Sequence, residues 1–271
     1  MPTWTEIGDR VFVRRYPFYD QNIGVVLGDR AVLVVDTRST HAQAREILAD
    51  LRELTADPVT VVVNTHGHFD HAFGNRVFRP APIWGHVDCP PFMLRTGDVR
   101  RARIAADEPS IAADLMEVEL DPPDRVFAET ARIEVGGRRV DLRYLGRGHT
   151  DHDIVIAVPD ANVMFAGDLI EGGAVPFFND GYPLDWPETA YRLAELVRGT
   201  VVPGHGDHAG PAFATQQAEA FRTIAELGRR IQRGELGIDD ALELTPVPDL
   251  PREDIRAPLE RTLAQLHGEL D

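Results

Sequence analysis

In the N-terminal part of the chain, apolar positions fall in short β-branched runs separated by turn residues, the texture of strands. Val11 to Val13, Ile23 to Leu27 and Ala31 to Val35 predict three strands, with Gly28-Asp29-Arg30 marking a hairpin between the last two. The period then changes. Ile47, Leu48, Leu51 and Leu54 recur at helical spacing behind Thr40 and Gln43, which fit a capping box, and Pro58 closes the connection. Val59 to Val63 returns to a continuous apolar run, the composition of a strand buried on both faces.

The second half repeats this order. Arg132 to Val135 and Arg138 to Leu145 flank Gly136-Gly137, and Ile154 to Val158 and Val163 to Ala166 predict two more strands. A helix is expected over Trp186 to Val197 with Pro187 in its first turn, followed by a short strand, Thr200 to Val202. Phe213, Ala220, Phe221, Ile224, Leu227 and Ile231 share one face of a long amphipathic helix, and a second helix runs from about Arg252 to His267. Residues 86–124 have a different texture, with proline pairs, Arg100-Arg101-Ala102-Arg103 and scattered acids. They are expected to form short helices and loops inserted between the halves, serving as a lid, an oligomer contact or a surface excursion.

Composition narrows the function. A net charge of −16 argues against nucleic acid and other polyanions, which need a cationic surface. Every basic side chain is arginine. The single cysteine, Cys89, excludes an internal disulfide framework and reads as structural. With no apolar run of membrane-spanning length and no leader-like N-terminus, the expectation is a cytoplasmic protein without a membrane partner, acting on a small molecule. Its oligomeric state is not legible in the chain.

The candidate chemistry lies at strand ends. The run after Val63 is Asn64-Thr65-His66-Gly67-His68-Phe69-Asp70-His71, three histidines and an aspartate within six residues. Imidazole and carboxylate are the ligands that borderline divalent metals prefer. His66 and His68 lie two apart, on one side of an extended backbone. Three further ligand-type residues follow predicted strands beside glycine: His149 in Gly148-His149-Thr150, Asp168 after Gly167, and His205 in Gly204-His205-Gly206. His41 is expected to be solvated, and His152 and His208 either to support the ligands or to be solvated.

The order of these motifs resembles the metallo-β-lactamase-fold hydrolase superfamily. The resemblance runs from the first strands to about residue 206 and implies an α/β fold, a four-layer αββα sandwich of two similar halves with a dinuclear metal site at one end. The expected organisation is one such domain over residues 1–271, with C-terminal helices over 211–271. By analogy His66, His68 and His149 would hold the first metal, Asp70, His71 and His205 the second, and Asp168 would bridge them. Asp36, in Val34-Val35-Asp36-Thr37, matches an aspartate that steadies the ligand loop from behind. Asp168 stands where β-lactamases with a cysteine ligand carry that cysteine, and the chain has no lysine to hold a drug carboxylate. The fold name therefore does not establish the activity.

The resulting expectation is a hydrolase with two zinc ions per chain, iron or manganese being compatible with the same donors. A metal-bridged hydroxide would cleave an ester, thioester, lactone or amide bond, with Asp70 orienting the hydroxide and moving its proton. An iron-dependent oxidoreductase and a non-catalytic metal-binding relative are the alternatives. Phe18, Tyr19, Phe177, Phe178 and Tyr182 are expected to wall the substrate pocket.

Overall fold

In a computed structural model the chain forms two facing β-sheets covered by helices. The structure describes residues 3–173, 176–246 and 252–270. The first sheet has seven strands in chain order: β1 (Thr5–Gly8), β2 (Val11–Tyr16), β3 (Gln21–Gly28), β4 (Ala31–Val35), β5 (Val59–Val63), β6 (Ile83–His86) and β7 (Arg125–Phe127). Pairing is antiparallel as far as β4 and parallel from β4 onward. The parallel step from β4 to β5 needs a crossover, which α1 (His41–Leu51) supplies. Thr40 caps that helix, its hydroxyl accepting the Gln43 N–H at 3.1 Å. After β5 come the short α2 (Phe69–Ala72), then α3 (Cys89–Asp107) and α4 (Ala112–Met116) between β6 and β7.

The second sheet has five strands: β8 (Thr130–Val135), β9 (Arg138–Tyr144), β10 (Ile154–Val158), β11 (Val163–Gly167) and β12 (Thr200–Pro203), in the spatial order β12-β11-β10-β9-β8. Only β11 and β12 are parallel, and α5 (Trp186–Leu196) crosses between them. The chain continues into α6 (Pro211–Gln232), α7 (Ile238–Leu242) and α8 (Arg252–Leu266).

Strand alternation builds the layers. In β4, Leu33 and Val35 face the second sheet and pack with Ile133, Leu142, Ile156 and Phe165, whereas Val32 and Val34 face α1 and meet Ala44, Ile47 and Leu51. Val155 and Met164 point out of the second sheet into Trp186, Leu193 and Phe221 of α5 and α6. The result is helix, sheet, sheet, helix, the four-layer arrangement expected.

The segment 86–124 departs from expectation. Instead of short pieces it holds α3, a 19-residue helix. Its buried residues, Cys89, Phe92, Met93 and Gly97, cluster in its first half, and Leu94 and Val99 are exposed, so no apolar stripe runs its length. Cys89 is fully packed among Phe73, Met93 and Leu115, as a structural cysteine should be. Strands β1, β6 and β7 and helix α7 are elements of three to five residues that the hydrophobic pattern does not announce. Parts of the expected 211–271 helical segment, residues 247–251 and 271, lie outside the described residues.

Candidate metal centre

Five strand ends on one edge of the sandwich carry the ligand-type residues. β5 runs into Thr65 to His71, the β9–β10 connection carries His149, β11 ends at Asp168, β12 ends at His205, and β4 ends at Asp36. The sheets are joined at this edge. Asn22 N–H on β3 donates to Gly204 O (2.8 Å), and its side-chain amide donates to Pro203 O (3.0 Å) and Gly206 O (2.8 Å).

The side chains form two groups. His66, His68, His149 and Asp168 converge in one, and Asp70, His71 and His205 in the other, the ligand atoms within each group lying within 4.8 Å of one another. Nδ1 of His68 is 3.1 Å from His66 Nε2 and 2.8 Å from His149 Nε2. Asp168 Oδ2 lies 3.7 Å from His66 Nε2, 3.4 Å from His149 Nε2 and 3.4 Å from His205 Nε2, while its Oδ1 is 3.3 Å from His71 Nε2. One carboxylate thus touches both groups.

This donor set fits divalent cations. Ring nitrogens face one another across about 3 Å, which neutral imidazoles satisfy when a cation lies between them. Asp168 Oδ1 is buried and, among the described residues, accepts no hydrogen bond. A Cβ on Gly204 would sit 1.9 Å from that oxygen, so the glycine leaves room for the carboxylate to lie between the groups. Gly167, at φ +53°, turns the chain out of β11 with Thr65 packed against its Cα, a conformation that disfavours other residues.

Each histidine is held from behind, which leaves one nitrogen to face the centre. His66 Nδ1 lies 3.1 Å from the Thr65 hydroxyl, His68 Nε2 2.9 Å from Asp180 Oδ2, and His71 Nδ1 2.8 Å from Asp36 Oδ2. His149 Nδ1 is 3.0 Å from Phe177 O, and His205 Nδ1 is 2.6 Å from Tyr19 O. Asp36 also accepts the Thr65 N–H and hydroxyl, both at 2.8 Å, so it sits where a residue steadying the ligand loop should.

Without cations the electrostatics are polarised. Burial pushes His66 well below its usual value and His68 down to about 4. Burial acts the same way on His71 and His205, but Asp168 and Asp70 overcome it and raise both well above the imidazole range. Burial would raise the Asp70 carboxyl; His71 and His205 instead hold it at about 2. A cation held by the second group would compete with protons on His71 and His205.

Asp180 escapes the sequence pattern, while His152 takes the supporting place that was one of its two expected roles. Asp180 lies in Asn179-Asp180-Gly181, which reads as an ordinary turn, and its carboxylate is gripped from α3 by Arg100. His152 is fully buried and accepts the Gly67 N–H on Nε2 at 3.0 Å, which pins the His66–His68 loop. Glu171 is buried near the centre, its carboxyl raised to about 8 chiefly by desolvation and then by Asp168. His208 is exposed, one of its two expected states, while His41 is only half-exposed and its Nε2 is buried without a partner among the described residues.

A cavity of about 730 Å³ opens onto both groups. His68, Asp70, His149, Asp168 and His205 form its floor, and α3 supplies one wall. Tyr19 and Phe177 line it, but three aromatics expected there do not. Phe178 packs into the core against Trp186 and Phe221, because in this irregular loop neighbouring side chains diverge to opposite sides. Phe18 stacks edge-on against Tyr19 at 4.6 Å and joins the cluster under α3 and α4. Tyr182 is buried beneath the Arg147 guanidinium, 4.6 Å from its ring centroid. Residues 174 and 175 of the same expected pocket stretch lie outside the described residues.

Residues 16–205 match the family model of the metallo-beta-lactamase superfamily. A type 2 metallo-beta-lactamase of Bacteroides fragilis is 22% identical over 219 residues, 76% of this chain and 80% of that protein. A linear primary-alkylsulfatase of Pseudomonas sp. (strain ATCC 19151) is 22% identical over 211 residues, 65% of this chain and 39% of the sulfatase. Among solved structures, the metallo-beta-lactamase from Pontibacter korlensis shares the fold with a TM-score of 0.63 at 20% identity, covering 82% of this chain and 99% of that one. The stereoselective inverting sec-alkylsulfatase from Pseudomonas sp. gives a TM-score of 0.78 at 14% identity, covering 98% of this chain and 50% of that one. The chain thus spans half the length of that sulfatase. From the matched model, which takes in all the ligand-type strand ends, the chain belongs to the metallo-beta-lactamase superfamily.

Proposed function

We propose that the chain is a hydrolase that uses two divalent ions, zinc in the first instance, to cleave an ester, thioester, lactone or amide bond in a small molecule. The observation that carries this reading is the pair of complete ligand groups sharing Asp168 at the floor of one cavity. His66, His68 and His149 would hold one ion, Asp70, His71 and His205 the other, and Asp168 would bridge them. The same donors suit iron or manganese. When bound, such a pair lowers the pKa of water to about 7 and polarises a carbonyl.

The residues of the chain do the rest. The carbonyls and carboxylates behind the histidines fix ring orientation before substrate arrives. Asp70 lines the cavity with Oδ2 3.3 Å from His205 Nε2, where it can orient the attacking water and move its proton. Phe69, Val99 and Phe177 give the cavity above the floor an apolar lining. The relatives named as β-lactamase and alkylsulfatase are both hydrolases, which supports the reaction class and leaves the bond open. The completeness of the second group favours this reading over a one-iron oxidoreductase.

The test is a panel of lactones, thioesters, aryl esters, β-lactams and alkyl sulfates offered to zinc-loaded protein. Turnover of at least one class, abolished in His66→Ala, is expected. No turnover of any class above the His66→Ala background would overturn the reading.

A further inference from the structure

Helix α3 turns an unusual face to the cavity. Arg95, Thr96, Val99, Arg100, Arg103 and Ile104 all line it, so one wall of a pocket in a chain of net charge −16 is cationic. Most of the pocket's acids are already matched. Asp20 pairs with Arg15, Asp180 with Arg100, and Asp107 with Arg103 at 3.7 Å. Asp70 and Asp168 belong to the ligand groups, where bound divalent cations would neutralise them. Glu171 is the remaining acid, and it is buried, with Oε1 3.4 Å from the Phe177 amide. Arg95 is exposed and, among the described residues, makes no hydrogen bond or ion pair, though its charge helps to lower the Asp151 carboxyl.

The same wall presents apolar groups to solvent. Val99 is 73% exposed one turn beyond Arg95, and Phe177 is 49% exposed across the cavity. Ile104 and Phe69 line the same cavity. Arg95, Val99 and Arg103 are spaced by four, so they lie in one stripe about 12 Å long.

Resting on the hydrolase reading for its location, we propose that this wall selects an organic anion with an apolar chain: Arg95 takes the anionic group, and Val99, Ile104, Phe69 and Phe177 cover the chain. A carboxylate and a sulfate or sulfonate share the chemistry an arginine recognises, two or three oxygens in a fork. A ligand of this kind would use a guanidinium that, among the described residues, has no hydrogen bond or ion pair, and a valine bare to the cavity.

Binding rather than turnover tests it, with zinc-loaded protein titrated calorimetrically with octanoate, 1-octanesulfonate, acetate, methanesulfonate and 1-octanol. At least one eight-carbon anion should bind tenfold or more tighter than its one- or two-carbon counterpart and than octanol. Arg95→Ala and Val99→Asp, both at exposed positions that the fold tolerates, should each weaken that binding about tenfold with metal content unchanged. Arg222→Ala, which removes an equal charge outside the cavity, should leave it as in the wild type. Equal binding of short and long anions, or wild-type affinity in Arg95→Ala, would overturn the proposal. Either result can be read whether or not the hydrolysis panel shows turnover, so the two readings fail separately.

Discussion

Asp180 Oδ2 lies 2.9 Å from Nε2 of His68, while the opposite nitrogen of that ring faces the metal-ligand group. Arg100 of α3 grips the same carboxylate, so a helix wall of the cavity is tied through two side chains to a candidate ligand. Asp180→Asn keeps the shape but weakens the pull on the imidazole. Zinc affinity, read by chelator competition, should fall about 10- to 100-fold. The melting temperature of the metal-free protein should change little, because Asp180 is partly exposed and screened.

Gly204 makes a sharper prediction. Its substitution by alanine would put a methyl 1.9 Å from Asp168 Oδ1 and 2.9 Å from His71 Cε1. Gly204→Ala should lose the shared carboxylate from its position, and with it much of the bound metal, at a stability cost of about 1–3 kcal/mol. Elemental analysis and thermal unfolding of the same preparation would check both.

Phe177 and Phe178 are adjacent and have opposite fates. Phe178→Ala should cost about 3–5 kcal/mol, since the ring is buried against Trp186 and Phe221. Phe177→Ala should leave stability nearly unchanged and raise KM more than it lowers kcat, because its half-exposed ring lines the cavity. Denaturant unfolding and steady-state kinetics on the two variants separate these roles.

Glu171 sets a pH dependence. Its carboxyl rises from 4.5 to about 8, mainly by burial, so between these values the folded chain holds a proton that the unfolded chain has released. The stability it contributes is complete below about pH 4.5 and is lost as pH rises toward 8. In chelator-treated protein, Glu171→Gln should match the wild type near pH 5 and exceed it by roughly 2 kcal/mol above pH 8. A difference that does not grow with pH would show that the carboxyl is not buried as described.

The ligand residues were legible because they are contiguous or flanked by glycine at the ends of β-branched runs. His66 to His71 and Gly204-His205-Gly206 carry their setting in the local sequence. Asp180 was not, because its role comes from what packs against it: it meets His68 only through the loop after β11. His152 was legible only as a choice between support and solvent, because the Gly67 amide that decides it lies 85 positions away. The sandwich was legible only through the resemblance the ligand motifs carry, since Ala31 to Val35 are apolar throughout and the sequence does not say that Leu33 and Val35 face one layer and Val32 and Val34 another. Helix α3 was obscured because one of its faces lines a cavity. Arginines and exposed apolar residues there blur the 3.6-residue period that announces a helix packed on a core.

The central claim is that two metal ions share Asp168, and elemental mass spectrometry on protein purified without added metal, then on the same protein saturated with zinc and desalted, tests it most directly. About two divalent ions per chain are predicted after saturation, with His66→Ala and His71→Ala each losing about one or more. One ion or none per chain after saturation, or two ions retained in both variants, would contradict the account.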